Sequence, residues 1–395
     1  MPADDASRIL TINSGSSSLK IALFRLGKTE TLELSAKIER IGLPAAYCRI
    51  ARGDGTVLLE EARALPDHAV ALKAFLDWLR GRSIRLAGVG HRIVHGGTRY
   101  GPPARITPRM EKALAELEPL DPDHLPNELD AIRTMRRRHA RLPQVACFDT
   151  AFHRSMPAVA QRYPLPRNLW REGVRRFGFH GLSYEFILGE LARVAGTKAA
   201  RGRIIVAHLG NGASLAAVRE GRSVETTMGF TPAGGVMMST RSGDLDPGVL
   251  IYLLREKHRS AAALDRLVNH EAGLLGVSGT SPDVRDLLAR AAGDPRAEEA
   301  IGMFCHQVRK SLGALAATLG GVDTLIFTAG IGENSPEIRA RICAGLGFLG
   351  IRLDAARNRR NAAIVSRVGR GVTVRVMKTN EELTIARHTR DLLRL

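Results

Sequence analysis

Three segments rich in glycine or hydroxyls follow apolar runs: Asn13-Ser14-Gly15-Ser16-Ser17-Ser18, His208-Leu209-Gly210-Asn211-Gly212 and Gly330-Ile331-Gly332-Glu333-Asn334. Backbone N–H groups hold phosphate oxygens only where the chain can approach closely, and glycine at a strand end permits that. Each segment is equally readable as a structural turn. GxxxxGK[ST] is absent and neither Gly-x-Gly segment completes GxGxxG, so P-loop and Rossmann sites lose support. Arg92 in His91-Arg92-Ile93-Val94-His95-Gly96-Gly97 and Arg241 in Met238-Ser239-Thr240-Arg241-Ser242-Gly243-Asp244 offer planar, bidentate oxyanion recognition, although an arginine beside Gly or Ser is commonly a surface residue. His180, in Phe177-Gly178-Phe179-His180-Gly181, sits among aromatics and glycines and by itself reads as a satisfied core histidine. Asp149, after Cys147-Phe148, and Glu381, in Thr379-Asn380-Glu381-Glu382, each read as a metal-organising carboxylate or as a helix cap.

Strands and helices must position these groups. Arg8–Ile12 and Leu19–Phe24 are apolar and β-branched around the Asn13–Ser18 turn, which predicts a hairpin. The same grammar returns at Arg203–Ala207 and Leu215–Val218, with Ser18-Leu19-Lys20-Ile21-Ala22 overlaying Ser214-Leu215-Ala216-Ala217-Val218 at an offset of 196 residues. A displacement of half the chain predicts a duplicated fold. Ala87–Val94 and Thr324–Thr328 read as further strands running into glycines, and helical periodicity marks 69–80, 108–118 and 297–319. The fold class is therefore α/β, with a mixed sheet in each half and ligands expected in a cleft between the halves.

The length of 395 residues suits two domains, and 44% apolar with 25% charged residues matches a soluble globular chain. Four distant cysteines supply no CxxC pair and no disulfide framework, which points to a reducing compartment. No run of about 18 apolar residues exists, and Met1-Pro2-Ala3-Asp4-Asp5 lacks a signal-peptide pattern, so a cytoplasmic protein without membrane partners is expected. The net charge of +18 rests on 49 arginines spread along the chain against nine lysines. Nucleic acid is not expected as a partner, because the basic clusters carry no interleaved aromatics.

Nine motifs occur in order. They are Asn13–Lys20, His91–Gly97, Phe148–Phe152, Phe177–Gly181, His208–Gly212, Thr227–Pro232, Thr240–Asp244, Phe327–Asn334 and Thr379–Glu382. Together they resemble the acetate/propionate kinases, a family within the sugar kinase, Hsp70 and actin superfamily, over nearly the whole chain. The resemblance implies two ribonuclease H-like domains, 1–150 (with 382–395 packing back on it) and 151–381, in a homodimer. It implies reversible Mg²⁺-ATP-dependent phosphorylation of a short carboxylate, with Mn²⁺ able to substitute and ATP/ADP as co-substrate. By motif match, Arg92, Asp149, His180 and Arg241 are the catalytic residues, and Asn13 and Glu381 the metal-associated ones. Val94, Phe179 and Pro232, with Arg92, correspond to the acid pocket. Lys20, His208, Leu209, Gly210, Asn211, Gly212, Asp283, Val284, Arg285, Gly330, Ile331, Gly332, Glu333 and Asn334 correspond to the nucleotide site.

Two stretches depart from the family pattern. Leu120-Asp-Pro-Asp-His-Leu-Pro-Asn127 replaces the usual Leu-His-Asn-Pro-Pro-Asn, so a second active-site histidine has no matched position and His124 is the candidate substitute. Gly181-Leu182-Ser183-Tyr184 stands where Gly-Thr-Ser-His is common. Both flank the expected acyl pocket, so propionate, butyrate or another short acid stands as the alternative to acetate. A slow ATPase of the actin or Hsp70 kind is the rival from another class.

Overall fold

A computed structural model describes residues 7–395 except 28, 83, 368 and 370. The pentapeptide Met1–Asp5, read above for its lack of a signal pattern, lies outside the described residues. The chain forms two compact units, Met1–Ala151 with Asn380–Leu395, and Phe152–Thr379.

The first unit carries strands β1 (Arg8–Ser14), β2 (Ser18–Arg25), β3 (Thr31–Glu39), β4 (Ala46–Arg52), β5 (Val57–Arg63), β6 (Gly88–Ile93), β7 (Ala104–Arg105) and β8 (Gln144–Phe148). Their order in the sheet is β5-β4-β3-β2-β1-β6-β8-β7. The second carries β9 (Ile204–Leu209), β10 (Ala213–Arg219), β11 (Arg222–Thr226), β12 (Thr324–Thr328) and β13 (Thr373–Val376), ordered β11-β10-β9-β12-β13. In β3-β2-β1-β6-β8 the successive pairings are antiparallel, antiparallel, parallel, parallel. The pairings along β11-β10-β9-β12-β13 are the same. The half-chain repeat is thus a repeat of topology. The hairpins at Asn13–Ser18 and Gly210–Gly212 form its equivalent corners.

Buried parallel strands read as continuous apolar runs, because helices cover both of their faces. All residues of β8, β9 and β12 are buried. In the first unit, helices His68–Arg80 and Leu125–Arg138 cover one face with Leu72, Phe75, Leu76, Ala131 and Met135. The C-terminal helix Glu381–Leu393 covers the other, setting Ala386 against Ile9, Ala22 and Phe24. It crosses β6 where side chains are missing: a Cβ on Gly90 would stand 2.3 Å from Thr389 Oγ1 and 2.5 Å from Ile385 Cγ2. In the second unit, helix Gly181–Ala195 packs Tyr184, Ile187 and Leu191 on Ile204, Val206 and Ala216, while the long helix Pro295–Leu319 lies against β9, β10 and β11.

Two expectations need correction. Gly330–Asn334 is not a loop: Ala329–Asn334 is a short helix entered through Ala329 at φ 64°. Glycine disfavours helix, but Glu333 reaches back to accept from the Ala329 N–H at 2.8 Å and also from the Thr379 N–H at 3.1 Å, so tertiary contacts override propensity. The 108–118 periodicity yields helix only over Pro108–Ala115, with a separate turn at Glu118–Leu120 where Pro119 cannot continue the hydrogen-bond ladder.

Candidate active site

Parallel strands β1, β6 and β8 lie side by side, so their carboxyl ends deliver Asn13, Arg92 and Asp149 to one edge of the first unit. Arg92 donates from Nε and Nη2 to Asp149 Oδ2 at 3.0 and 2.5 Å, and from Nη1 to Asn13 Oδ1 at 3.3 Å. Asn13 Nδ2 in turn donates to Glu381 Oε2 at 2.9 Å and Glu382 Oε1 at 3.3 Å. Neither acid read as a possible cap is one. Asn380 caps the C-terminal helix by accepting from the Leu383 N–H, which leaves the Glu381 carboxylate to Asn13. Asp149 is fully buried and committed to Arg92.

Burial disfavours the charge on Arg92, but Asp149 and Glu381 outweigh it and hold the guanidinium above its ordinary value. Burial pushes the Asp149 carboxyl up, against the pull of Arg92. Among the described residues its second oxygen, Oδ1, is buried and has no hydrogen-bond partner. Among the described residues, no three His, Cys, Asp or Glu side chains close on a point as a protein-only metal cage would. The donor set here, an amide and carboxylates around an orphaned oxygen, is the hard, incomplete kind that suits Mg²⁺, which keeps water and substrate phosphate among its ligands.

A residue missed by motif reading stands beside this cluster. Glu128 is 2% exposed, and both of its carboxylate oxygens accept from the Val94 N–H at 3.1 Å. Burial pushes it well above the usual carboxylate range, with Arg92 opposing. Its signal in the sequence is an acid on an apolar helical stripe, among Leu125, Leu129, Ile132 and Met135. In the divergent loop, His124 Nδ1 bonds Asp121 Oδ1 at 2.7 Å and both residues are buried. Val94 is buried at 1% exposure, and Lys20 is exposed on β2 in register with Asn13.

The second unit assembles its own set. His180 adopts φ 59° at the start of helix Gly181–Ala195, and its Nδ1 is hydrogen-bonded to Ser214 Oγ at 2.8 Å. Its ring stacks on His208, with centroids 4.1 Å apart. Tyr184 Oη meets the same Ser214 Oγ at 2.5 Å, and Ser183 Oγ meets His208 Nδ1 at 2.8 Å. The departing tetrapeptide 181–184 therefore orients both imidazoles. A Cβ on Gly212 would lie 3.3 Å from His180 Nε2 and 3.6 Å from Arg241 Nη1, so both groups face the Gly210–Gly212 corner.

Arg241 Nη1 also reaches the Pro232 carbonyl at 3.4 Å. The Arg241 loop is fixed by Gly273, a second residue missed from sequence. Gly273 sits at φ 63°, where a Cβ would stand 2.3 Å from the Met238 carbonyl and 2.8 Å from that of Arg241. Phe179 is buried, and its carbonyl accepts from His153 Nε2 at 2.9 Å.

Of the positions matched to nucleotide binding, His208–Gly212 border His180 and Arg241. Gly330–Asn334 are braced by the wholly buried Arg339, which donates to the Gly332 and Glu333 carbonyls at 2.8 and 3.1 Å. Asp283 caps helix Val284–Arg290 and pairs with Arg285, whose side chain is 88% exposed, while Val284 is buried.

The doubled five-strand topology, with polar residues at the carboxyl ends of its parallel strands, is the ribonuclease H-like architecture of the sugar kinase, Hsp70 and actin group. Residues 8–387 match the Acetokinase family. An acetate kinase of Rhizobium meliloti is 46% identical over 390 residues, covering 98% of each chain. Among solved structures, the Porphyromonas gingivalis acetate kinase is 36% identical with a TM-score of 0.87, over 98% of this chain and all of its own. A propionate kinase from Francisella tularensis is 32% identical with a TM-score of 0.91 over the same shares. The chain belongs to the acetokinase family, phosphotransferases that use a carboxyl group as acceptor.

Proposed function

We propose that this chain catalyses reversible, Mg²⁺-ATP-dependent phosphorylation of acetate to acetyl phosphate by direct in-line transfer. The reading is carried by the buried Arg92–Asp149 pair and Asn13 at the ends of three adjacent parallel strands, in a chain of the acetokinase family. A carboxylate nucleophile is already ionised at neutral pH, so no base need remove a proton and the difficulty is bringing two anions together. Phosphoryl transfer is then a matter of position and charge neutralisation.

By motif match, Arg92 and Arg241 are assigned to the acid and the migrating phosphoryl group. Asp149 fixes the Arg92 fork and is not a base. His180, oriented through Nδ1 by Ser214, donates from Nε2 to the transferring oxygens. By motif match, Val94, Phe179 and Pro232 are assigned to the acyl group, and His208–Gly212, Gly330–Asn334, Lys20 and the Asp283–Arg285 turn to the nucleotide. Asn13, Glu381 and the orphaned Asp149 Oδ1 would hold Mg²⁺, with Mn²⁺ as a substitute; when bound, the cation neutralises phosphate charge.

Helix Pro247–Arg255 buries none of its residues and exposes Val249, Ile251, Tyr252 and Leu254, which supports a homodimer using that face. All four cysteines are buried, and a cytoplasmic location goes with this reading; among the described residues no helix is long and apolar enough to cross a membrane.

Trapping acyl phosphate as hydroxamate from ATP, Mg²⁺ and acids of one to five carbons tests the reading. Acetate should give the highest kcat/KM, and ATP turnover independent of any acid would refute it. Because the 120–127 loop departs from the family pattern, propionate, butyrate or another short acid is the second reading, and the same series decides, since one methylene is worth about 1–3 kcal/mol in an apolar pocket. With a chirally labelled γ-phosphorus, inversion is expected, and retention would reveal a phosphoenzyme.

A further inference from the structure

A second concave site lies within the Phe152–Thr379 unit, in a cavity of about 600 Å³ beside helix Pro336–Cys343. Three arginines from three segments line it: Arg352, Arg359 and Arg367. Leu353 and Ser366 form an antiparallel bridge, and the Arg367 N–H donates to the Arg352 carbonyl at 3.0 Å, so Arg352 and Arg367 stand directly opposite one another. Like charges in that relation repel. Arg359 adds a third positive charge from the last turn of helix Ala355–Arg359.

Among the described residues none of the three has an ion pair, and the one acid lining the cavity, Glu337, is engaged by Arg341 at 2.7 Å. The floor is rigid. Asn358, 4% exposed, accepts from Arg339 Nε at 2.8 Å and donates from Nδ2 to the Pro336 carbonyl at 2.8 Å. All three side chains are exposed, but they line one concavity with a fixed floor. Planar forks of this kind match oxyanions two oxygens at a time, and a fixed floor lowers the ordering cost of binding.

We propose that this cavity is an anion site separate from the reaction centre, taking a compact molecule with two or more phosphate or carboxylate groups. The test is calorimetric titration of the full chain, with its nucleotide site saturated by ADP, using inorganic pyrophosphate in one arm and succinate in the other. At least one of the two should bind at about one site per chain, and the arm that binds identifies the group recognised. The Arg352→Gln/Arg359→Gln/Arg367→Gln variant should lose at least tenfold in that affinity while its KM values for ATP and acetate stay within twofold and its melting temperature is unchanged. Absence of binding in both arms, or equal binding by the triple variant, overturns the proposal.

Discussion

Replacing Arg92 with alanine separates catalysis from folding in a way the geometry makes quantitative. The side chain supplies both hydrogen bonds to Asp149 Oδ2 and one to Asn13, while Asp149 is fully buried with Oδ1 already unpartnered. Removing the guanidinium strands a buried carboxylate, a change that costs about 3–5 kcal/mol. For a unit of this size that is a fall of about 6–20 °C in melting temperature. Loss of an arginine that neutralises charge in phosphoryl transfer should lower kcat by at least about 10².

The stranded carboxyl escapes its penalty by keeping its proton, so its folded pKa stands above the unfolded value of about 3.9. The folded state then binds more protons than the unfolded one, and the variant loses stability as pH rises from about 4 through that raised folded value. Adding Asp149→Asn to Arg92→Ala should recover most of the melting temperature at pH 8 and none of the activity. Thermal denaturation at pH 5 and pH 8, with hydroxamate-trapping kinetics, reads both quantities. A single variant that melts with the native protein at both pH values, or one that retains more than a tenth of its kcat, would refute the role given to the pair.

Arg241 faces the Gly210–Gly212 corner and reaches the Pro232 carbonyl, so Arg241→Ala should lower kcat by at least about 10²; a loss below tenfold removes it from the mechanism. Glu128 has a folded pKa raised by burial, so its contribution to stability is complete below the unfolded value of about 4.3 and is lost as pH rises through the folded one. Glu128→Gln, which keeps an acceptor for the Val94 N–H, should therefore gain stability over the native protein as pH climbs from 5 to 9, and parallel melting curves would contradict this. Gly90→Ala places a methyl 2.3 Å from Thr389 Oγ1 and should cost about 1–3 kcal/mol, seen as a lower denaturant midpoint. Insensitivity there would mean that the C-terminal helix does not lie tightly on β6.

Chemistry that depends on residue type and local spacing was legible without coordinates. The hairpins around Asn13–Ser18 and Gly210–Gly212 follow from apolar β-branched runs interrupted by turn residues, and their recurrence at half the chain length is borne out as a repeated strand order. The apolar runs that became β9 and β12 are strands because both faces are covered, a property carried by composition alone. The Gly330–Asn334 segment misled because its backbone is set by a carboxylate and by Thr379, not by its own glycines.

What only the fold decided is partnership across long separations. Asn13 and Glu381 are 368 positions apart, and Arg92 and Asp149 are 57 apart; nothing in either neighbourhood names the other. Parallel pairing of β1, β6 and β8 sets three strand ends level, and the C-terminal helix returns to the same edge because Gly88 and Gly90 leave room for it. Whether Asp149 is a cap or a counterion, and whether Glu128 faces water or the interior, depends on burial. Burial sums over neighbours that the chain brings together only when it folds. Sequence therefore determined which groups could handle phosphate and acid, and tertiary structure determined which of them bear charge on one another.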